Sequence, residues 1–277
     1  MCRYPGRARM GNILDEIVEY KYTQVEKCKE GTPLNELQAA AAHMPKCRNF
    51  YRAVTKKNKR GLNVIAEVKK ASPSAGLIRP DFDPVDIAEK YKACGADAIS
   101  CLTDAKYFQG KLEYMAMIKD AVGLPVLRKD FIVDEYQVYE ARAAGADAIL
   151  LIAEVLTPSQ LMDLLILARE LTMTSLIEVH DVDLLLKLRS LAGFPQPGYS
   201  LLGINNRDLT TMTVDFNTTA RLAEFVDNRS ELVAESGIKT RENVDRLKEI
   251  GIGAVLIGET LCKSESIEDK FKELFGV

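Results

Sequence analysis

Acids, bases and amides gather where short apolar runs of this chain end. The run Asn63-Val64-Ile65-Ala66-Glu67-Val68 is β-branched at Val64, Ile65 and Val68, and Ser72-Pro73-Ser74 stops it soon afterwards. Alternation along such a strand puts Ile65, Glu67 and Lys69 on one face. An acid and a base so placed are either a half-exposed ion pair or proton-transfer machinery, because a buried charge needs a partner or a task. Later runs repeat the theme. Leu127-Arg128-Lys129-Asp130-Phe131 ends in dense charge, and Glu178 stands among Leu176, Ile177 and Val179. Gly203-Ile204 leads into Asn205-Asn206-Arg207-Asp208, and two further runs close on Glu235-Ser236-Gly237 and Ile257-Gly258-Glu259. Lysines and carboxylates of this kind serve general acid–base catalysis. Serine and glycine suit an oxyanion such as phosphate: glycine lets backbone approach it and the hydroxyl donates. Lys69 and Arg207 add positive charge nearby. On this reading an acid at Gly258 repels the anion and raises KM more than it lowers kcat.

The elements that carry these residues follow one pattern. Apolar runs fall at 62–68, 97–102, 124–128, 147–152, 175–179, 201–205, 231–235 and 253–258. Helical periodicity fills the gaps at 85–94, 111–121, 135–144, 158–171, 181–191, 216–226, 240–250 and 265–275. Ala93-Cys94-Gly95-Ala96-Asp97-Ala98-Ile99 recurs as Ala143-Ala144-Gly145-Ala146-Asp147-Ala148-Ile149, and each copy reads as a helix end, a glycine cap and the next strand. Strands and helices alternating in this way predict an α/β protein, a (β/α)8 TIM barrel with an N-terminal helical extension. The rival, an open doubly wound sheet, more often carries a Gly-x-Gly phosphate turn after its first strand, and this chain has none there. In a barrel the strand C-termini share one rim, which brings Glu67, Lys69, Lys129, Glu178, Asn205 and Glu235 together.

Upstream, Leu14, Val18, Tyr22 and Val25, with Ile17 beside them, predict an amphipathic helix to about Lys29. Residues 1–60 read as an N-terminal arm and helical extension packed on the barrel, and residues 61–277 as the catalytic barrel itself. Met1–Arg9 are basic with no apolar stretch behind them; they read as a disordered arm or an upstream start ahead of Met10, not a secretory signal.

Composition narrows the function classes. The chain is 47% apolar and 28% charged, ordinary for a soluble globular protein. A net charge of -3 offers no basic field for nucleic acid, and no apolar run is long enough for a membrane span. The cysteines (Cys2, Cys28, Cys47, Cys94, Cys101 and Cys262) have neither metal nor redox spacing, so they read as reduced thiols in a cytoplasmic protein. His43 and His180 are too few for a multi-histidine metal site. No metal is expected.

Taken together, Ile65-Ala66-Glu67-Val68-Lys69-Lys70-Ala71-Ser72-Pro73-Ser74, Leu127-Arg128-Lys129-Asp130-Phe131-Ile132, Ile177-Glu178-Val179-His180, Gly203-Ile204-Asn205-Asn206-Arg207-Asp208-Leu209 and Glu235-Ser236-Gly237-Ile238 resemble the indole-3-glycerol-phosphate synthase family, from about Leu14 onward. One departure is Ala75, where many members carry lysine, which removes a basic contact from that loop. The resemblance implies a lyase of tryptophan biosynthesis that needs no cofactor. Its substrate would be a small phosphorylated molecule with an anthranilate ring, 1-(2-carboxyphenylamino)-1-deoxyribulose 5-phosphate. That substrate undergoes ring closure, decarboxylation and dehydration. Association with other tryptophan-pathway enzymes is within what the resemblance admits. It further implies Lys129 as the general acid, Glu178 as the base in dehydration and Lys69 as a second acid. Glu67 tunes the lysines, and Asn205 and Glu235 hold hydroxyls. Ser72, Arg207, Ser236, Gly237 and Gly258 bind substrate or its phosphate, and Phe108 and Phe131 build part of the pocket in which the ring stacks, unless they simply pack the core. The N-terminal helix partly covers the site. Two rivals remain at this point: a phosphosugar isomerase barrel, against which the second lysine argues, and a non-catalytic barrel with solvated rim charges.

Overall fold

The computed structural model describes residues 11–191 and 197–276, so the Met1–Arg9 arm and Cys2 lie outside the described residues. Three helices, α1 (Ile13–Gly31), α2 (Leu34–His43) and α3 (Phe50–Thr55), precede strand β1 (Asn63–Val68) and helix α4 (Pro84–Ala93). Strand β2 (Ala98–Leu102) leads through the turn α5 (Ala105–Phe108) to α6 (Glu113–Ala121). Then come β3 (Val126–Lys129), α7 (Glu135–Ala143), β4 (Ala148–Ile152), α8 (Pro158–Glu170), β5 (Thr174–Val179) and α9 (Val182–Arg189). The chain continues with β6 (Ser200–Asn205), α10 (Asn217–Ala223), β7 (Leu232–Glu235), α11 (Arg241–Ile250), β8 (Ala254–Ile257), α12 (Glu259–Cys262) and α13 (Ile267–Phe275). Each of these strands pairs in parallel with the next, and β8 pairs back with β1, Ile65 facing Leu256, so the sheet closes into a barrel.

Local chemistry explains the boundaries. Thr157 and Thr240 close capping boxes at the starts of α8 and α11, and Asp83, Asp134, Asp181 and Ser266 cap four other helices. β3 begins two residues later than its apolar run because Pro125 has no N–H to give the ladder; its carbonyl still accepts from Ile99. α10 is shorter than the periodicity at 216–226 suggests. Gly95 and Gly145 both end a helix at positive φ, 88° and 89°, which explains the repeated Gly-Ala-Asp. The aspartate of each copy then turns under the barrel. Asp97 accepts from the N–H of Val64, and Asp147 accepts from that of Val126, both at 2.9 Å.

The N-terminal helices lie against this frame: α1 and α2 against α7, and α3 against β1. α1 buries Leu14, Ile17, Val18 and Val25, while Tyr22 is only partly buried. The same helix buries a lysine, Lys21, that its apolar spacing does not announce. No described helix is long and apolar enough to cross a membrane.

Candidate active site

The C-terminal rim of the barrel holds a cavity of about 1050 Å³, its open mouth included. Lys129, Glu178, Lys69, Glu67, Asn205, Glu235, Ser72, Arg207, Ser236, Gly237, Gly258, Phe108 and Phe131 all line it. Parallel strands that stop at one level bring together residues far apart in sequence. On the floor the Lys129 ammonium lies 3.2 Å from Glu178 Oε2 and 3.6 Å from Glu235 Oε2. Glu178 Oε1 accepts from Asn205 Nδ2 at 2.8 Å, so Asn205 orients this carboxylate. Lys69 forms an ion pair with Glu67 across the face they share.

This floor divides its protons unevenly. Burial alone would lower the Lys129 pKa, but the charges of Glu178, Glu235 and Glu67 raise it above the ordinary lysine value, so the ammonium persists. Glu235 moves the other way for a carboxylate. Burial, then the adjacent Glu178 charge, push it well above the usual carboxylate range, and Lys129 offsets only part of this. Glu235 is thus biased toward holding its proton beside the Lys129 ammonium, and the floor offers both donors and acceptors.

Two glycines hold these carboxylates in place for a reason the sequence does not announce. A Cβ on Gly258 would sit 2.5 Å from Glu67 Oε1, and one on Gly203 would overlap Glu235 Oε1. Gly258 thus makes room for Glu67, and an aspartate there would displace Glu67 besides repelling an anion. Its effect would fall on kcat as well as KM, unlike the simple repulsion the sequence suggests. Gly258→Ala and Gly203→Ala are each expected to lower kcat roughly 10-fold or more with little change in thermal midpoint, since only the carboxylate's position is disturbed. Unchanged kcat in both folded variants would show that the carboxylates tolerate displacement.

The cavity's far wall carries a left-handed turn with exposed backbone donors. Ser236 adopts φ 62° and Gly237 φ 75°, a left-handed pair that turns successive backbone N–H groups the same way. Asn206, which sequence reasoning left without a role, steadies this turn: its Nδ2 donates to the Ser236 carbonyl at 3.0 Å and its Oδ1 accepts from Thr219. Ser72 Oγ accepts from the Ala75 N–H at 3.2 Å within a short hairpin, Ala71–Ser72 against Gly76–Leu77, that apolar periodicity could not reveal. The Arg207 guanidinium lies 3.5 Å from Glu259 and also donates to the Met212 carbonyl.

The opposite wall is aromatic and apolar. Phe108 and Phe131 pack with ring centroids 6.2 Å apart and planes tilted by 37°, and Leu14 and Ile17 of α1 line the same cavity. Behind this wall the buried Lys21 ammonium meets Asp104 at 2.8 Å and Asp130 at 2.7 Å. Burial opposes the Lys21 charge, but the two carboxylates more than reverse that and raise its pKa. Asp130 answers in kind: burial works against its charge, yet Lys21 and Arg128 hold its pKa down to about 2. His180, from the Ile-Glu-Val-His run, does not line the cavity and pairs instead with Glu154.

The family model of indole-3-glycerol phosphate synthase matches residues 14–274. The chain belongs to that family. It is 48% identical over 267 residues to the indole-3-glycerol phosphate synthase of Desulfotalea psychrophila, covering 96% of this chain and 99% of that one. With the enzyme of the same name from Alkaliphilus metalliredigens it shares 42% over 262 residues, covering 95% of this chain and 97% of the relative. A chain of the tryptophan synthase complex from Pyrococcus furiosus superposes with a TM-score of 0.55 at 15% identity, over 78% of this chain and 98% of that one. At that identity the likeness is one of fold, and it agrees with the closed barrel seen here.

Proposed function

We propose that this chain converts 1-(2-carboxyphenylamino)-1-deoxyribulose 5-phosphate to indole-3-glycerol phosphate, as its family membership states, and that the cavity residues divide the work as follows. The ring carbon bearing the carboxylate attacks the ketone carbon, and Lys129 protonates the oxyanion as it forms. Carbon dioxide leaves from the same carbon and restores aromaticity, helped by expulsion of a charged carboxylate from an apolar wall. Glu178 then takes a proton while Lys69, held by Glu67, protonates the departing hydroxyl. The aryl ring stacks in a pocket built partly from Phe108 and Phe131, and the phosphate lies at Ser236, Gly237, Gly258 and Arg207, with Ser72 on its near side.

The observation that carries this reading is the Lys129 ammonium between Glu178 and Glu235, at 3.2 and 3.6 Å. A sugar-phosphate isomerase needs one acid–base pair, whereas three chemical steps need more than one proton carrier, and this floor has them. We further read residues 1–60 as an extension serving the catalytic barrel of 61–277. Cytoplasmic location is part of the same reading, in keeping with the free thiols of Cys28, Cys47, Cys94, Cys101 and Cys262. Association with other tryptophan-pathway enzymes would add a partner surface to this picture; the cavity itself does not require one.

The phosphate assignment has its own test. Inorganic phosphate is expected to inhibit competitively, raising KM and leaving kcat unchanged. Inhibition that lowers kcat at constant KM would put the anion outside the substrate site.

A further inference from the structure

Lys21 is the one charged residue of α1 that the protein buries, at 1% exposure. Its two carboxylate partners each have a second task. Asp104 Oδ1 accepts from the N–H groups of Tyr107 and Phe108, at 2.6 and 3.3 Å, and so builds the turn α5 that presents Phe108. Asp130 follows Lys129 directly, and its Oδ1 accepts from the Phe131 N–H at 2.8 Å. A single ammonium from the N-terminal extension therefore joins the segment holding one phenylalanine to the segment holding the other. Apolar contacts of Leu14, Ile17, Val18 and Val25 already fasten α1 to the barrel, so holding the helix down does not require a buried charge. Burying a lysine is costly unless its partners are well placed, and here it lies at the junction from which both rings project.

We infer that Lys21 is a positioning residue, which touches no substrate but sets the placement of the Phe108 and Phe131 rings against each other and thereby the shape of the wall that meets the substrate's aryl ring. The inference rests on the proposed function for the identity of the ring. Its structural content is separate: α1 does more than cover the cavity, because its lysine fixes the placement of the rings in the aromatic wall.

The test compares the intact chain with Lys21→Met. Binding of the carbonyl-reduced substrate analogue is followed by its anthranilate fluorescence, and inhibition by inorganic phosphate is measured beside it. Affinity for the analogue should fall roughly 10-fold or more, phosphate inhibition should change by less than about 2-fold, and KM should suffer more than kcat. Lys21→Arg, which keeps the charge, should recover most of the loss. If Lys21→Met does not fold, Lys21→Met/Asp104→Asn removes one buried charge of each sign and leaves Asp130 paired with Arg128, 3.3 Å away. Unchanged analogue affinity in a folded variant, or a parallel loss of phosphate inhibition, would overturn the inference. So would failure of both variants to fold, which would make Lys21 a folding element. A parent chain that binds the analogue but turns over no substrate would sink the proposed function and leave the Lys21 comparison readable.

Discussion

Lys129→Ala is expected to lower turnover by roughly 10²- to 10⁴-fold while the protein keeps its fold and still binds substrate. Among the described residues, the ammonium is the only cation that forms an ion pair with both Glu178 and Glu235 on the cavity floor. Its pKa is raised, so it stays charged at every pH below the ordinary lysine value, and the alkaline limb of a pH–rate profile should not come from it. A raised pKa does not weaken it as an acid here, because the alkoxide formed on ring closure is far more basic than any lysine. The fold should survive, since burial and the Glu178 charge already bias Glu235 toward its protonated form, which eases the loss of the counter-ion. Near-normal turnover in the variant, measured by product fluorescence, would remove Lys129 from the mechanism.

Glu178→Gln should cost a similar factor, roughly 10²- to 10⁴-fold in kcat, with substrate still bound. The amide has one acceptor where the carboxylate has two. Glu178 now accepts from both Asn205 and Lys129, so one of those bonds is lost. Lys129 then falls back on Glu235. With the neighbouring charge gone, one of the causes holding Glu235 above the carboxylate range disappears too. The relieved repulsion offsets or exceeds the lost bond, because catalytic charges are commonly held at a cost in stability, so the thermal midpoint should stay the same or rise. A variant with full turnover that melts well below the parent would make Glu178 a structural partner of Lys129 and not the base.

Much of the barrel was legible because its signals are local. Runs such as Ile149-Leu150-Leu151-Ile152 are apolar on both faces, as buried parallel strands must be, and the glycine caps Gly95 and Gly145 are written directly in the repeated Gly-Ala-Asp. The rim residues were legible for a related reason: a charge at the end of such a run cannot be core filling, and a barrel gathers all such ends. What stayed hidden depends on partners far along the chain. Lys21 reads as a solvated step of an amphipathic helix until Asp104 and Asp130 are seen beside it. Gly203 reads as an ordinary member of its run and Gly258 only as a phosphate-binding glycine until the carboxylates of Glu235 and Glu67 occupy the space of their missing side chains. The turns α5 and α12, four residues each, are too short to show any period.

The most direct test gives the intact chain the linear substrate and follows indole fluorescence and released carbon dioxide together. The account predicts that the two appear in equal amounts and that both fall to near background in Lys129→Ala. Conversion of the substrate to an isomer with no carbon dioxide released, or no conversion at all, would contradict it.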